Sequence, residues 1–333
     1  METFTPRPTM KEVARMAGVS LATVSRVING TADVRPDLAE RVQEAVKLLG
    51  YRRDLTASTL RRADRQSASI GLIIEDVSNP FFSAVHRGVE DVARPRGVLT
   101  FVGSSDERPE RERELAEAFS ARGVDGLVIV PCARDQSYLL RDRQAGTGIV
   151  FVDRPPRFMA GDAVLSDNAG GSRAAVEHLI AHGHRRIAFL GDRLSVFTAT
   201  ERLRGYHEAL RGERIPELER TELADSAAGE HAVRELLALP DPPTALFTGQ
   251  NLITIGAIRA LRALGRQRTV ALVGFDDVVL GDLVQPGVTV VAQDPYALGR
   301  RAGELLFARD PEPRSVVLPT RLILRGSGEI PAV

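Results

Sequence analysis

The sequence predicts a small all-α head followed by a larger α/β body. Three observations carry that reading. Charge is uneven: through Arg65 basic residues exceed acidic ones by four, although the 333-residue chain is formally neutral. Apolar residues recur at helical spacing through the first fifty positions. From Ser69 onward, short apolar runs instead alternate with amphipathic stretches, the signature of parallel sheets covered by helices. The length and the 43% hydrophobic content suffice for one small domain plus one large one, or for three ordinary units. A basic head on an acidic body points to a polyanionic partner for the head.

The head reads as three helices. Thr9 and Glu12 form a capping box, in which the hydroxyl and the carboxylate satisfy each other's unpaired amides. It opens a helix whose inner face is Met10, Val13, Ala14 and Ala17. Gly18 supplies a turn, Ser20 caps a second helix running to about Ile28, and Asn29-Gly30 ends it. A third helix starts near Pro36, presents Leu38, Val42, Ala45, Val46 and Leu49, and stops at Gly50. Two helices of this length joined by Ala17-Gly18-Val19 suit a helix-turn-helix with the second helix in the major groove. Three short helices with so few large apolar residues would make a poor core for anything bigger.

In the body, strands are expected over 70–75, 98–103, 126–130, 149–153, 187–191, 245–248, 270–274 and 289–292. Helices are expected over 81–94, 109–122, 168–182, 201–211, 229–239, 251–264 and 296–308. A body of this size should split into two lobes, with ligand bound in the crevice at the carboxyl ends of the strands.

Other features restrict the class of protein. Cys132 is the only cysteine, which rules out an intrachain disulfide and a multi-cysteine metal site. The first residues lack the apolar core of a signal peptide, and no apolar run approaches the ~18 residues that span a bilayer, so a cytoplasmic protein without membrane association is expected. His178, His182 and His184 have a spacing compatible with metal binding, the first two one helical turn apart, but His182 sits at a helix end beside Gly183 and no metal is expected. The charge run over 106–117 reads as a solvated helix face. Neither a nucleophile elbow nor a phosphate-binding loop occurs, and no acid–base pair stands out, so no catalytic residues are expected.

The stretch MKEVARMAGVSLATVSRVING over 10–30, continued by LGYRRDLTASTL over 49–60, resembles the DNA-binding signature of the lactose/galactose repressor family. That resemblance implies a head over 1–62 with a hinge helix over 54–61, a linker over 63–68, and an effector-binding and dimerisation domain over 69–333. Leu21 and Ala22 would touch thymine methyls, and Arg26 would pair with a guanine edge. Thr9, Ser20, Thr23, Ser25 and Asn29 join the DNA-binding set, the hydroxyls and the amide suiting phosphates that fix register. Leu60, beside Ala57, would wedge into the minor groove and kink the duplex. Arg61, Arg62 and Arg65 would track the backbone, while Val24 and Val27 face inward.

The resemblance extends into the body through Asn79-Pro-Phe-Phe82, Val124-Asp-Gly126, Val152-Asp-Arg154, Gly183-His-Arg-Arg-Ile187, Arg202-Leu-Arg-Gly-Tyr206 and Val273-Gly-Phe-Asp-Asp277. It implies a two-lobed periplasmic-binding-protein-like domain with parallel sheets, crossing between lobes near Ser166, Asp294 and Arg321. The N-lobe would hold 69–165 and 295–321, the C-lobe 166–293 and 322–333. Phe81 or Phe82 would form a stacking platform, with Asp153, Arg154, Arg202 and Asp276 as polar contacts. Such a set suits a polyol, although a nucleobase would use the same aromatic ring. Gln250-Asn251 departs from the family's usual Asn-Asp pair and replaces an acid with an amide. The segment 265–269 is a trimmed surface loop.

The function implied is a transcription regulator, read as a repressor, that binds a pseudo-palindromic operator as a dimer under the control of a small effector, a sugar or sugar derivative. No cofactor is expected. Tetramers stay open, although no leucine-heptad tail follows Gly326. The rival readings are a solute-binding protein and a sugar- or nucleoside-processing enzyme on the same scaffold.

Overall fold

The computed structural model describes residues 8–29, 34–51, 67–211, 218–310 and 312–332. The chain divides into two units, one ending at Ser67 and the other beginning at Ala68.

In the first unit, α1 (Met10–Ala17) opens with the complete capping box. Thr9 Oγ1 accepts from the Glu12 amide, and the Thr9 amide donates to the Glu12 carboxylate at 2.6 Å. Those hydrogen bonds hold the Glu12 carboxyl below its ordinary range. Gly18 closes α1 at φ 63°, a left-handed conformation that a side chain would resist. α2 (Leu21–Asn29) starts where Ser20 Oγ accepts from the Thr23 amide at 3.1 Å. α3 (Pro36–Leu49) begins on a proline and ends at left-handed Gly50. The core is small: Val13, Ala14, Ala17, Val24, Val42 and Ala45 are buried, with Met10, Val27, Val46 and Leu49 packed around them. Residues 52–66 lie outside the described set, and with them the hinge helix expected over 54–61, including Ala57, Leu60, Arg61, Arg62 and Arg65.

The second unit contains two six-stranded sheets among the described residues. The first is built from β1 (Ser69–Ile74), β2 (Leu99–Ser104), β3 (Gly126–Ile129), β4 (Gly148–Val152), β5 (Asp162–Ser166) and β11 (Ser315–Leu318). Their spatial order is β2-β1-β3-β4-β5-β11, with every pair parallel. The second is built from β6 (Ile187–Leu190), β7 (Glu219–Arg220), β8 (Ala245–Thr248), β9 (Ala271–Phe275), β10 (Thr289–Ala292) and β12 (Arg321–Ile323). Its order is β7-β6-β8-β9-β10-β12, parallel except for β12.

Both faces of each sheet's centre are covered, which is why the central strands read as unbroken apolar runs. In the N-lobe, Ile70, Leu72 and Ile74 pack with α4 (Pro80–Ala93) and α11 (Pro295–Ala308), while Ile73, Leu127 and Phe151 pack on the other face with α5 (Pro109–Ala121). A short α6 (Leu140–Gln144) completes that lobe's helices among the described residues. In the C-lobe, Leu190, Leu246 and Val290 pack under α9 (Ser226–Leu237) and α10 (Asn251–Ala263). Phe189, Phe247 and Phe275 pack under α7 (Asn168–Ala181) and α8 (Phe197–Leu210). α4 and α11 lie so close that a Cβ on Gly299 would collide with the Val85 carbonyl, and one on Gly88 with the Tyr296 carbonyl.

The chain passes between the sheets after Ser166, between Ala292 and Pro295, and between Leu318 and Arg321. Arg321, expected at the third crossing and counted with the N-lobe, is instead the first residue of β12 in the C-lobe sheet. β5, β7, β11 and β12 have no counterpart among the expected strands, because they are short or half exposed and lack a long apolar run. α8 starts at Phe197 and α9 at Ser226, a turn earlier than expected.

The run over 106–117, expected as a solvated helix face, is not simply one, because Glu112 is fully buried and the Glu107 side chain nearly so. Glu112 accepts from the amides of Cys132 and Ala133 and, at 2.7 Å, from the Tyr138 hydroxyl. Those donors come from the loop after β3, and they supply the hydrogen bonds without which a carboxylate could not be buried. The histidines are engaged structurally. His178 Nε2 meets Glu329 at 2.7 Å, His182 Nδ1 meets the His178 carbonyl, and His184 bridges Thr244 and the Ile330 carbonyl. No metal-ligating cluster occurs among the described residues.

Candidate DNA-reading face and interlobe cleft

Helix α2 places Val24 fully inside the head, with Val27 against its core. Leu21, Ala22 and Arg26 are exposed, Thr23 and Ser25 are half-buried, and Ser20 is exposed beside Thr23. The spacing of 21, 22 and 26 puts those three on the helix face away from the core. Ser20 Oγ lies 2.9 Å from Thr23 Oγ1. Thr9 is committed to the capping box. Asn29 ends α2.

All eight residues expected in the effector site line one cavity of about 50 Å³ between the lobes: Phe81, Phe82, Asp153, Arg154, Arg202, Gln250, Asn251 and Asp276. Phe82 belongs to the N-lobe core and borders the cavity. Phe81 is half-buried and meets it edge-on, ring centroids 5.1 Å apart. Asn79 caps α4 with its Oδ1, which accepts from the Phe81 amide at 3.1 Å. The same Oδ1 accepts from Asn251 Nδ2 at 2.9 Å, so this amide pair ties the N-lobe to the C-lobe.

Arg202 is held from three sides. Its Nε donates to Asn168 Oδ1 at 2.8 Å, its Nη1 to the Gly249 carbonyl at 2.7 Å, and the same nitrogen lies 3.4 Å from Asp276 Oδ2. The guanidinium also stacks 4.0 Å above the Phe275 ring centroid. Asp276 takes a further hydrogen bond from Gln293 Nε2 at 2.5 Å. Asn168 and Gln293 stand at the first and second crossings between lobes, so two site residues are anchored directly on the connections.

Arg154 is 5% exposed and surrounded by carboxylates. Its Nη2 donates to Glu75 at 3.0 Å and its Nη1 to Glu107 at 2.5 Å. Its Nε lies 3.5 Å from Asp153, too poorly aligned for a hydrogen bond. Burial works against the Arg154 charge, but Glu107, Asp153 and Glu75 outweigh it and raise the pKa. Burial pushes the Glu75 carboxyl up to about 8 against the pull of Arg154, with Glu107 adding to the rise. Burial likewise raises Asp153, opposed by Arg154 and Arg202. Asp153 Oδ1 and Gln293 Oε1 are buried without hydrogen-bond partners among the described residues, a cost that a bound hydroxyl donor would relieve.

Asp153 and Asp276 occupy matching places. Each directly follows its strand, β4 or β9, at φ 70°, and each amide donates 2.9 Å across to the neighbouring strand, at Val164 or Val291. Gln250 caps α10 and donates 3.2 Å to Asp192. Glu75, Asp192 and Gln293 were missed from sequence, yet each is the first or second residue past a buried parallel strand, where crevice ligands bind. That rule would have found them.

A two-lobed α/β binding body behind a helix-turn-helix defines a ligand-sensing DNA-binding regulator. Residues 9–54 match the family described as bacterial regulatory proteins, lacI family, and residues 176–328 match a periplasmic binding protein-like domain. The chain is 34% identical to the HTH-type transcriptional regulator CelR of Thermobifida fusca, over 97% of this chain and 98% of that protein. It is 32% identical to the HTH-type transcriptional regulator GalR of Salmonella typhimurium, over 97% and 96%. Among solved structures, a CelR–cellobiose complex aligns with a TM-score of 0.71 at 32% identity, covering 96% of this chain and all of that one. The Lac repressor dimer bound to operator and an anti-inducer aligns with a TM-score of 0.85 at 27% identity, covering 97% and 99%. The chain therefore belongs to the LacI family of bacterial transcription regulators, whose members bind DNA and are not enzymes. No described helix is long and apolar enough to cross a membrane.

Proposed function

We propose that this protein is a cytoplasmic repressor that binds a pseudo-palindromic operator as a homodimer and is controlled by a sugar-like effector in the interlobe cleft. The observation that carries the reading is the convergence of eight expected residues from two lobes on one cavity. Carboxylates of Asp153 and Asp276 accept from ring hydroxyls, the Arg202 guanidinium donates to ring oxygens, and the Phe81 ring packs on the apolar face of the sugar. Leu21, Ala22 and Arg26 read bases, Ser20, Thr23, Ser25 and Asn29 hold phosphates, and Thr9 belongs to the same DNA-binding set. Ala57 and Leu60 act at the minor groove. The head spans 1–62, the linker 63–68 and the effector domain 69–333.

The effector acts by differential binding. A sugar that touches both lobes favours one lobe arrangement, and Asn168 and Gln293 link its contacts to the crossings. The coupling is reciprocal, so an effector that weakens operator binding tenfold is itself bound tenfold less well on the operator complex. A thermal-shift screen of the full chain against sugars, sugar derivatives and nucleobases tests the cleft. At a hundred times its Kd a ligand adds about 2.7 kcal/mol to the folded body. The expected hit disappears in Arg202→Ala; a hit that survives that substitution would place the effector elsewhere. On DNA, Arg26→Ala should cost about 1–3 kcal/mol on the cognate operator and relax preference at one base pair. An unchanged base preference would refute its role.

A further inference from the structure

The cleft has a second chamber of about 220 Å³ that shares Arg154 and Val196 with the first. The two differ in charge. The inner cavity gathers the carboxylates of Glu75, Asp153, Asp192 and Asp276 against the guanidiniums of Arg154 and Arg202. The outer one is walled by Arg134, Arg157 and Arg193 from the loops after β3, β4 and β6, and its one lining carboxylate, Glu107, is already taken by Arg154. Among the described residues, the Arg134 and Arg157 side chains have neither an ion pair nor a hydrogen-bond partner, so their charges are unspent. The N-terminus of the 14-residue helix α8 opens onto the same chamber. Val196 stands at its cap with no side-chain hydrogen bond, and Phe197 and Ser195 line the wall. Free amides at a helix start, together with convergent guanidiniums, favour an anion. The buried carboxylates of the inner cavity disfavour one there.

We propose that the effector is an anionic saccharide. Its uncharged ring spans the two chambers with its hydroxyls reaching the carboxyl groups of the inner cavity, and its phosphate or carboxylate group sits in the outer chamber against Arg134, Arg157 and the start of α8. The inference rests on the cleft being the effector site and adds the ligand's charge and direction of binding. Arg154 then separates the two ends: its carboxylate partners keep the anion out of the inner cavity, while its guanidinium forms part of the outer wall.

The test compares the full chain with the double variant Arg134→Gln/Arg157→Gln, two exposed positions outside both cores. Thermal shifts are read at constant ionic strength with hexoses, the matching hexose 6-phosphates and the matching hexuronates, and separately with inorganic phosphate against chloride. One of the two anionic series should bind at least tenfold tighter than its parent hexose, and the responding series identifies the group as phosphate or carboxylate. In the double variant that advantage disappears, while the parent hexose binds as before. Inorganic phosphate should raise Tm in the native chain and not in the variant. Equal binding of hexose and anionic sugar, or an advantage or phosphate response that persists in the variant, overturns the proposal. If hexoses still bind and still require Arg202 in that case, the cleft reading survives. Silence from every sugar overturns both readings together.

Discussion

The two lobes place an aspartate at the same point of the same strand order and then treat it differently. Asp153 after β4 and Asp276 after β9 share φ 70° and the same amide hydrogen bond to the next strand. Asp276 is fully engaged, by Arg202 on one side and Gln293 on the other. Asp153 keeps one oxygen unpartnered, and its nearest guanidinium is shared with Glu75 and Glu107. The carboxylate of the C-lobe half is therefore held with its geometry set in advance, and the orphan atom on that side is Gln293 Oε1. The N-lobe half is crowded with carboxylates and short of donors. A preorganised half and an electrostatically unsatisfied half allow a ligand to relieve one lobe while docking on the other.

The largest expected break in that comparison is Arg202→Met. It strips buried Asn168 of its donor and Asp276 of its cationic partner, and should cost about 3–5 kcal/mol by denaturant unfolding. Glu107→Gln in the N-lobe should cost much less, because Arg154 keeps Glu75 and Asp153. Equal losses would show that the two halves are not differently organised.

Next in size is Gly299→Val, which forces α11 away from α4 and should cost about 1–3 kcal/mol by overpacking. The loss is expected in N-lobe stability, read by hydrogen exchange of β1 and β3. A uniform loss over both lobes would mean that they unfold as one unit.

Glu75→Gln probes the unsatisfied half through pH. The Glu75 carboxyl is raised to about 8 in the folded protein, so its favourable contribution is complete below the unfolded value of 4.5. That contribution fades as pH rises through 8. The variant should therefore gain Tm relative to the native chain as pH climbs from 5 to 9. A constant difference over that window would rule out the shift.

The smallest effect belongs to Asn251→Ala. It removes the 2.9 Å bond to Asn79 that joins the lobes, and the arrangement bridged by that bond should lose about 0.5–1.5 kcal/mol. Effector affinity should fall several-fold with little change in unfolding midpoint. An unaltered affinity would assign the contact no part in closure.

Much of this protein is determined by local patterning. The capping box at Thr9 and Glu12, the turn at Gly18 and the inward Val24 follow from residue type and spacing, because a three-helix head is held by short-range contacts. The central strands were legible because burial on both faces demands unbroken apolar runs. The eight residues that the resemblance marks all line the interlobe cavity, and Asp153 and Asp276 follow buried parallel strands at its edge.

Tertiary structure decided what depended on distant partners. Glu112 reads as solvated because a lone carboxylate does not survive burial. Only the folded loop after β3 brings it the amides of Cys132 and Ala133 and the Tyr138 hydroxyl. Glu107 lies 47 residues from Arg154 along the chain, and Asn251 lies 172 from Asn79, so no local pattern announces either pair. β11 and β12 are short and half exposed because each lies at a sheet edge, and their pairing is set by where the chain re-crosses the lobes. Sequence alone determined the central strands, most of the helices and the family. The charge of the cleft, and its division into an acidic inner cavity and a basic outer chamber, arose only when folding brought residues far apart in sequence to the walls of one crevice.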